Sequence, residues 1–237
     1  MAERGASRER WAAQVAALDE PRRSRARKPP ITVERIVATA FALIEAEGYD
    51  ALTMRRVATA LETGPASLYA HVRDKAELDD LLIGEVCARI VLPEPDAARW
   101  REQVLDVCGQ LRDQYFRYPG ISRAALATAP SSPDALRLTE GLLAILLAGG
   151  VPPQDAAWTI DAAFLYVGAY SLEASLRRRA AADADRRLLD REEVVARFRM
   201  LPADRFPHTV AHAPELAGGE GHERFDFTLG LLLGGLG

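Results

Sequence analysis

The stretch that most constrains this 237-residue chain is residues 51–78, ALTMRRVATALETGPASLYAHVRDKAEL. Thr53 is a good N-cap, and Met54, Val57, Ala58 and Leu61 follow at i, i+3, i+4 and i+7, giving a helix with one apolar face. Glu62, Thr63 and Gly64 then make a turn, and Pro65 stands where the first residue of a new helix tolerates proline best. That second helix, 65–72, carries Leu68 and Val72 on one face. Ala66, Tyr69 and Ala70 lie on another, flanked by Ser67 and His71. Helices this short are marginal alone and need a support. The helix predicted over 32–47 supplies one, with its stripe of Ile36, Ala40, Leu43 and Ile44 and its stop at Gly48. Helix, three-residue turn and helix on a third helix predicts a helix-turn-helix, whose second helix enters the major groove of DNA.

The side chains on the outer face suit that role. Ala66 and Ala70 are small enough for close approach to bases. Ser67, Tyr69 and His71 supply donors for phosphate oxygens. Lys75 sets a point charge beside a positive helix end, and Arg55 has the reach for a guanine edge. The plain alternative is that Tyr69 and His71 are ordinary surface residues of a helical domain.

With LTMRRVATAL, the turn, PASLYAHV and RDKAEL in place, the segment over roughly 32–80 resembles the DNA-binding domain of the TetR family of bacterial transcriptional repressors. The resemblance implies that Arg55, Ala66, Ser67, Tyr69, Ala70, His71 and Lys75 occupy operator-contacting positions, and that Thr53 touches phosphate. One departure is Glu62, where family members carry glycine; a position needing positive φ strains glutamate. The C-terminal half, through VPPQDAAWTIDAAFLYVGAYSLEASL and FPHTVAHAPEL…ERFDFTLGLLLGGL, resembles the subgroup that includes the tetracycline repressor. This implies a homodimer in which helices 154–179 and 223–236 form a four-helix bundle with their mates. Phe225, Phe227, Leu231 and Leu232 would sit at that interface. It also implies a small-molecule effector bound within this half. Trp100, Tyr115, Phe116, Trp158, Asp161, Phe164 and Tyr166 are the candidates to line its site, since polar-tipped aromatics on long helices border such cavities; the same residues suit an ordinary core.

The rest of the chain keeps helical period, with no alternating β pattern, so the fold expected is all-α. It divides into a basic N-terminal extension (1–30), a three-helix helix-turn-helix DNA-binding domain (31–80), a connecting helix and proline-bearing linker (81–98) and a larger ligand-binding and dimerisation domain (99–237). Asp74 with Glu77 in capping-box position opens a helix that runs to about residue 91. Further helices are expected at 100–117, 121–127, 134–148, 154–179, 192–200 and 223–236. Residues 177–192 read as loose and 202–221 as loop. In the extension, Arg25, Arg27 and Lys28 belong to an acid-free cluster that either tracks a minor groove or is a solvated tail.

The formal net charge of −4 argues against non-specific coating of nucleic acid. Its distribution qualifies that: residues 1–30 hold eight basic and four acidic side chains, and residues 53–75 hold four and two. The N-terminus has no apolar signal segment and no stretch is long enough for a membrane span, so a cytoplasmic protein without a membrane partner is expected. Cys87 and Cys108 read as buried hydrophobes rather than a disulfide. His208 and His212 with His222 would suit a metal if helical, but Pro207 and Pro214 favour ordinary loop histidines, so no metal is expected. No catalytic motif or cofactor cradle is present, and neither enzyme activity nor a cofactor is expected. The reading is a homodimeric repressor released from a palindromic operator by an unknown small molecule. An effector-independent regulator, and an all-α binding enzyme or carrier, are its alternatives.

Overall fold

The computed structural model describes Ala12 and residues 29–127, 131–182, 190–219 and 221–236. The chain divides into two units, 1–31 and 32–237. In the first, Ala12 is helical and exposed. The remainder of the amphipathic stretch 9–18, and the arm residues Arg25, Arg27 and Lys28, lie outside the described residues.

The second unit is all-α: twelve helices and no strand among the described residues. Helix α1 (Val33–Glu47) starts at Thr32, whose Oγ1 accepts from the Arg35 N–H, and buries Ile36, Ala40, Phe41 and Ile44. Gly48 stops it at φ +82°, donating to the Ile44 carbonyl at 2.8 Å. After a 3₁₀ turn (Tyr49–Ala51), α2 (Met54–Ala60) is capped by Thr53, and α3 (Pro65–Tyr69) opens on its proline. Helix α4 (Lys75–Ala88) is capped by Asp74, which accepts from the Glu77 N–H at 2.8 Å. The Glu77 carboxylate reaches back as in a capping box, but to the Arg73 N–H (2.6 Å), one residue before the cap. That contact holds its pKa below the usual carboxylate range.

Helix α4 has no single apolar face, because it packs on both sides: against α1 and against α5 (Trp100–Arg117), α6 (Ser122–Ala127) and α7 (Pro133–Ala148). Helices α5, α7 and α8 (Pro153–Ala182) build the main core around Leu138, Leu142, Ile145 and Leu146. The proline-bearing segment before α5 is strapped down. Gln103 bonds the backbone of Glu94 and Asp96, and Gln110, two turns on, bonds both backbone groups of Val91. At Gly149 the Trp100 ring lies so close that a Cβ would stand 2.4 Å from it.

Four helices depart from the expected pattern. Helix α8 runs to Ala182, past Arg179, through an alanine-rich stretch that favours helix. Within 202–221, expected as loop, α10 (Pro207–Ala211) and α11 (Ala213–Leu216) form, since both prolines stand in a first helical turn, where a missing N–H costs nothing. Both follow α9 (Arg191–Arg199), and the three pack on one another. The second helix of the helix-turn-helix ends at Tyr69 rather than at residue 72. The last helix, α12 (Glu223–Gly234), packs on α5 and α8.

Candidate functional site

Helices α2 and α3 meet through a turn built on local backbone bonds: Glu62 N–H to the Thr59 carbonyl (3.0 Å) and Thr63 N–H to the Ala58 carbonyl (2.9 Å). Glu62 takes φ +52°, the left-handed geometry that favours glycine. Val57, Leu68 and Val72 are fully buried and fix the pair. The remainder of α3 faces out: Ala66, Ser67, Ala70 and His71 are exposed, and Tyr69 is 51% exposed. The structure thus brings these five together on one surface, with Thr53 exposed at the start of α2.

The basic residues beside this surface differ in availability. Arg55 is exposed, and no acid among the described residues pairs with it. Arg56 pairs with Glu47, and Arg73 with Glu77 at 3.1 Å. Lys75 is turned inward: its ammonium pairs with Asp79, donates to the Tyr49 hydroxyl at 2.9 Å and lies 4.1 Å from the centre of the Tyr49 ring. Burial, and after it Asp79, push the Tyr49 phenol pKa well above its ordinary value.

This region is tied to the larger helices. The Tyr49 N–H donates to the Pro119 carbonyl at 2.9 Å. The Asp50 carboxylate receives two guanidinium groups, Arg123 of α6 at 2.6 Å and Arg179 of α8. Arg89, near the end of α4, bonds the Tyr118 hydroxyl and stacks on Phe41, 4.7 Å from its ring centre. Arg137 of α7 donates to the carbonyls of Cys87 (2.8 Å) and Ile90 (3.1 Å), closing the C-terminus of α4.

Between α4, α5, α6, α7 and α8 lies a half-open cavity of about 320 Å³. Of the seven expected lining residues it gathers three: Tyr115, Asp161 and Phe164. The others stand elsewhere. Trp100 packs into the core against Gly149. Phe116 and Tyr166 join an aromatic cluster with Tyr170, His222 and Phe225. Trp158 is 66% exposed. Sequence reasoning missed Asp80, Ile83 and Cys87 of α4, Leu111 of α5, Leu165 of α8 and the aliphatic residues of α6 and α7. A signal for the α4 trio was available: residues 80, 83 and 87 follow i, i+3, i+7. Burial pushes the Cys87 thiol up to about 11 and the Cys108 thiol to about 12, so both stay protonated near neutrality.

The last helix sorts its apolar residues onto two faces. Phe225, with Leu229 and Leu233, is core: it is 1% exposed, 5.0 Å from the Tyr170 ring and covered by the Arg112 guanidinium at 4.7 Å. Its expected place in a dimer interface is therefore corrected, because side chains four apart share a helical face and two apart do not. Phe227 (67%) and Leu231 (63%) are exposed, and Leu232 is half-buried. Trp158, Leu165 and Leu176 of α8 are exposed too. Near this helix His222 Nδ1 sits 3.1 Å from the Tyr170 hydroxyl. Among the described residues no three His, Cys, Asp or Glu gather as for a metal, and no helix is long and apolar enough to cross a membrane.

Comparison with known proteins decides the family. The description "Bacterial regulatory proteins, tetR family" matches residues 36–79, and "Tetracyclin repressor-like, C-terminal domain" matches residues 92–237. The chain belongs to the TetR family. It is similar to an HTH-type transcriptional regulator of Saccharopolyspora erythraea, 28% identical over 217 residues and covering 91% of this chain and 89% of that one. It is also similar to the HTH-type transcriptional repressor DrrR1 of Streptomyces coeruleorubidus, 29% identical, covering 91% and 80%. Among solved structures, the TetR family protein ActR of Streptomyces coelicolor in complex with actinorhodin superposes with a TM-score of 0.78 at 35% identity. That match covers 87% of this chain and 97% of that one. This TetR-family chain is a DNA-binding transcriptional regulator and not an enzyme. The expected all-α fold with an N-terminal helix-turn-helix stands.

Proposed function

We propose that this regulator is a homodimeric repressor whose two α3 helices read half-sites of a palindrome and whose release is triggered by a small molecule entering the α4–α8 cavity. Residues 31–80 form the reading domain, 81–98 the connection, 99–237 the effector and dimerisation domain, and 1–30 a basic extension. The half-sites lie about 34 Å apart or at a multiple of that spacing. Tyr69, Ser67, His71 and Thr53 bond phosphates, Arg55 reaches a base edge, and Ala66 and Ala70 permit the approach. Lys75 contributes by exchanging Asp79 for phosphate. Arg25, Arg27 and Lys28 follow the minor groove. The protomers join through Trp158 and Leu176 of α8 with Phe227, Leu231 and Leu232 of α12, whose exposure leaves apolar surface in need of cover. Such a protein works in the cytoplasm, where its operator is.

The observation that carries the effector reading is the position of α4. Its first turn follows α3 by a short loop, and Asp80, Ile83 and Cys87 further along it wall the cavity. A ligand that fits the cavity better in one α4 position than another shifts the recognition helix, and only that differential affinity does work. Moving the population from nearly all bound to nearly all free takes about 5.5 kcal/mol. The ActR complex with actinorhodin, a relative of the same fold holding a small molecule, supports this. The test is fluorescence anisotropy with DNA from upstream of the gene, with and without cell extract. Binding that extract abolishes is the expected result. Binding indifferent to every extract leaves a constitutive regulator, and no binding refutes the DNA assignment.

A further inference from the structure

The charge of the cavity narrows what it takes. The charged side chains on its wall are two carboxylates, Asp80 of α4 and Asp161 of α8, and the wall among the described residues holds no Lys, Arg or His. The rest is aliphatic, aromatic or thiol. Other acids that lie between helices of this molecule are paired with cations. Asp79, next to Asp80 in sequence, is paired with Lys75, Asp50 with two arginines, and Glu173 with Arg177 and Arg224. Among the described residues Asp80 is bonded by one hydroxyl, accepting from Ser131 Oγ at 2.6 Å, and Asp161 has no partner. Arg137 of α7 is engaged with the carbonyls at the end of α4 and with Asp134.

We propose that the cavity is selective for cations, taking an organic amine or other nitrogen cation on an apolar body. The inference rests on the reading of this cavity as the effector site. Moving a charge out of water is costly unless it is paired, and here the wall provides the counter-charges for a cation and none for an anion. The apolar wall receives the body of the ligand, and charge-assisted bonds to Asp80 and Asp161 fix its orientation. Because Asp80 belongs to α4, a cation drawn to it pulls on the helix that carries α3 in train. An acid in this place therefore sets both ligand class and readout.

The experiment is calorimetric titration of the full chain with three matched probes: naphthalen-2-ylmethanamine, protonated at neutral pH, naphthalene-2-methanol and naphthalene-2-sulfonate. The amine is expected to bind at least about tenfold more tightly than the sulfonate. Asp80→Asn and Asp161→Asn should each weaken the amine by about threefold or more while leaving the alcohol unchanged. Asp161 is exposed, so its variant tests the idea even if the Asp80 variant folds poorly. Ala125→Phe, which fills the cavity, should weaken all three probes. A sulfonate that binds as well as the amine, or an amine indifferent to both asparagine variants, overturns the charge selectivity and leaves the cavity reading intact. Probes that fail to bind, or that ignore Ala125→Phe, overturn the cavity reading and the selectivity with it.

Discussion

The exposed α3 surface proposed to read DNA and the cavity proposed to take the effector are made in opposite ways in this TetR-family regulator. Helix α3 is five residues long, buries only Leu68, and turns the rest of its side chains to solvent. The cavity draws its wall from five helices between residues 80 and 165. Function in the first depends on what a short segment leaves exposed. In the second it depends on what distant segments leave unfilled. Contacts that would unfold one are therefore local, and those that would reshape the other are long-range.

This contrast can be broken first at its single anchor. Leu68→Ala should cost about 2–5 kcal/mol of stability, since Leu68 is the one fully buried side chain of α3 itself. Urea unfolding would measure the loss, with operator binding falling in parallel. Tyr69→Ala, one residue along and exposed, should leave unfolding within about 0.5 kcal/mol of wild type. Its operator affinity should nonetheless drop by about 1–3 kcal/mol, read by anisotropy. Equal affinity would remove Tyr69 from the DNA surface. Glu62→Gly relieves the left-handed strain in the turn and should stabilise the protein by about 1 kcal/mol, measured by the same urea titration.

Two smaller effects probe the link between the regions. Asp50→Ala removes the acceptor shared by Arg123 and Arg179, at a cost of under about 1 kcal/mol for exposed pairs. Amide hydrogen exchange should quicken in residues 49–72 and stay unchanged in α7; uniform change would mean that Asp50 is not a local tie. The smallest effect is a pH effect. Glu173 has its pKa lowered, chiefly by the hydrogen bond from Arg224. Its contribution is therefore present above the ordinary glutamate range and fades as pH falls through the lowered folded value. The pair is solvent-screened, so well under about 1 kcal/mol is at stake. Glu173→Gln should flatten the acid limb of stability by that small amount, and an unchanged limb would assign the limb to other carboxylates.

Legibility in the sequence follows the same division. The caps at Thr53 and Asp74, the stop at Gly48, the burial of Leu68 and Val72 and the strained backbone at Glu62 all follow from neighbours within one or two turns. Lys75 is the exception within the motif. Its partner Tyr49 lies 26 positions away, and no spacing rule reveals that the ammonium is turned inward. In the C-terminal half, aromatic character located Tyr115 and Phe164 at the cavity but placed Trp100 there wrongly, because a ring over Gly149 and a ring beside a void look alike in sequence. Phe225 and Phe227 were separable by helical angle alone, being about 200° apart around the axis. Which of the two faces the core was decided by the Arg112, Tyr166 and Tyr170 side chains that cover Phe225.

By itself, then, the amino-acid sequence determined the helical period, the caps at Thr53 and Asp74, the helix-turn-helix and the family, because each rests on interactions between residues a few positions apart. Only the tertiary structure decided which basic groups remain available beside α3, where a void persists among α4 to α8, and that two aspartates face it without a cation. Those properties arise when helices far apart in the chain pack together. Packing then either neutralises a charge, as Lys75 does for Asp79, or leaves it facing open space, as at Asp161.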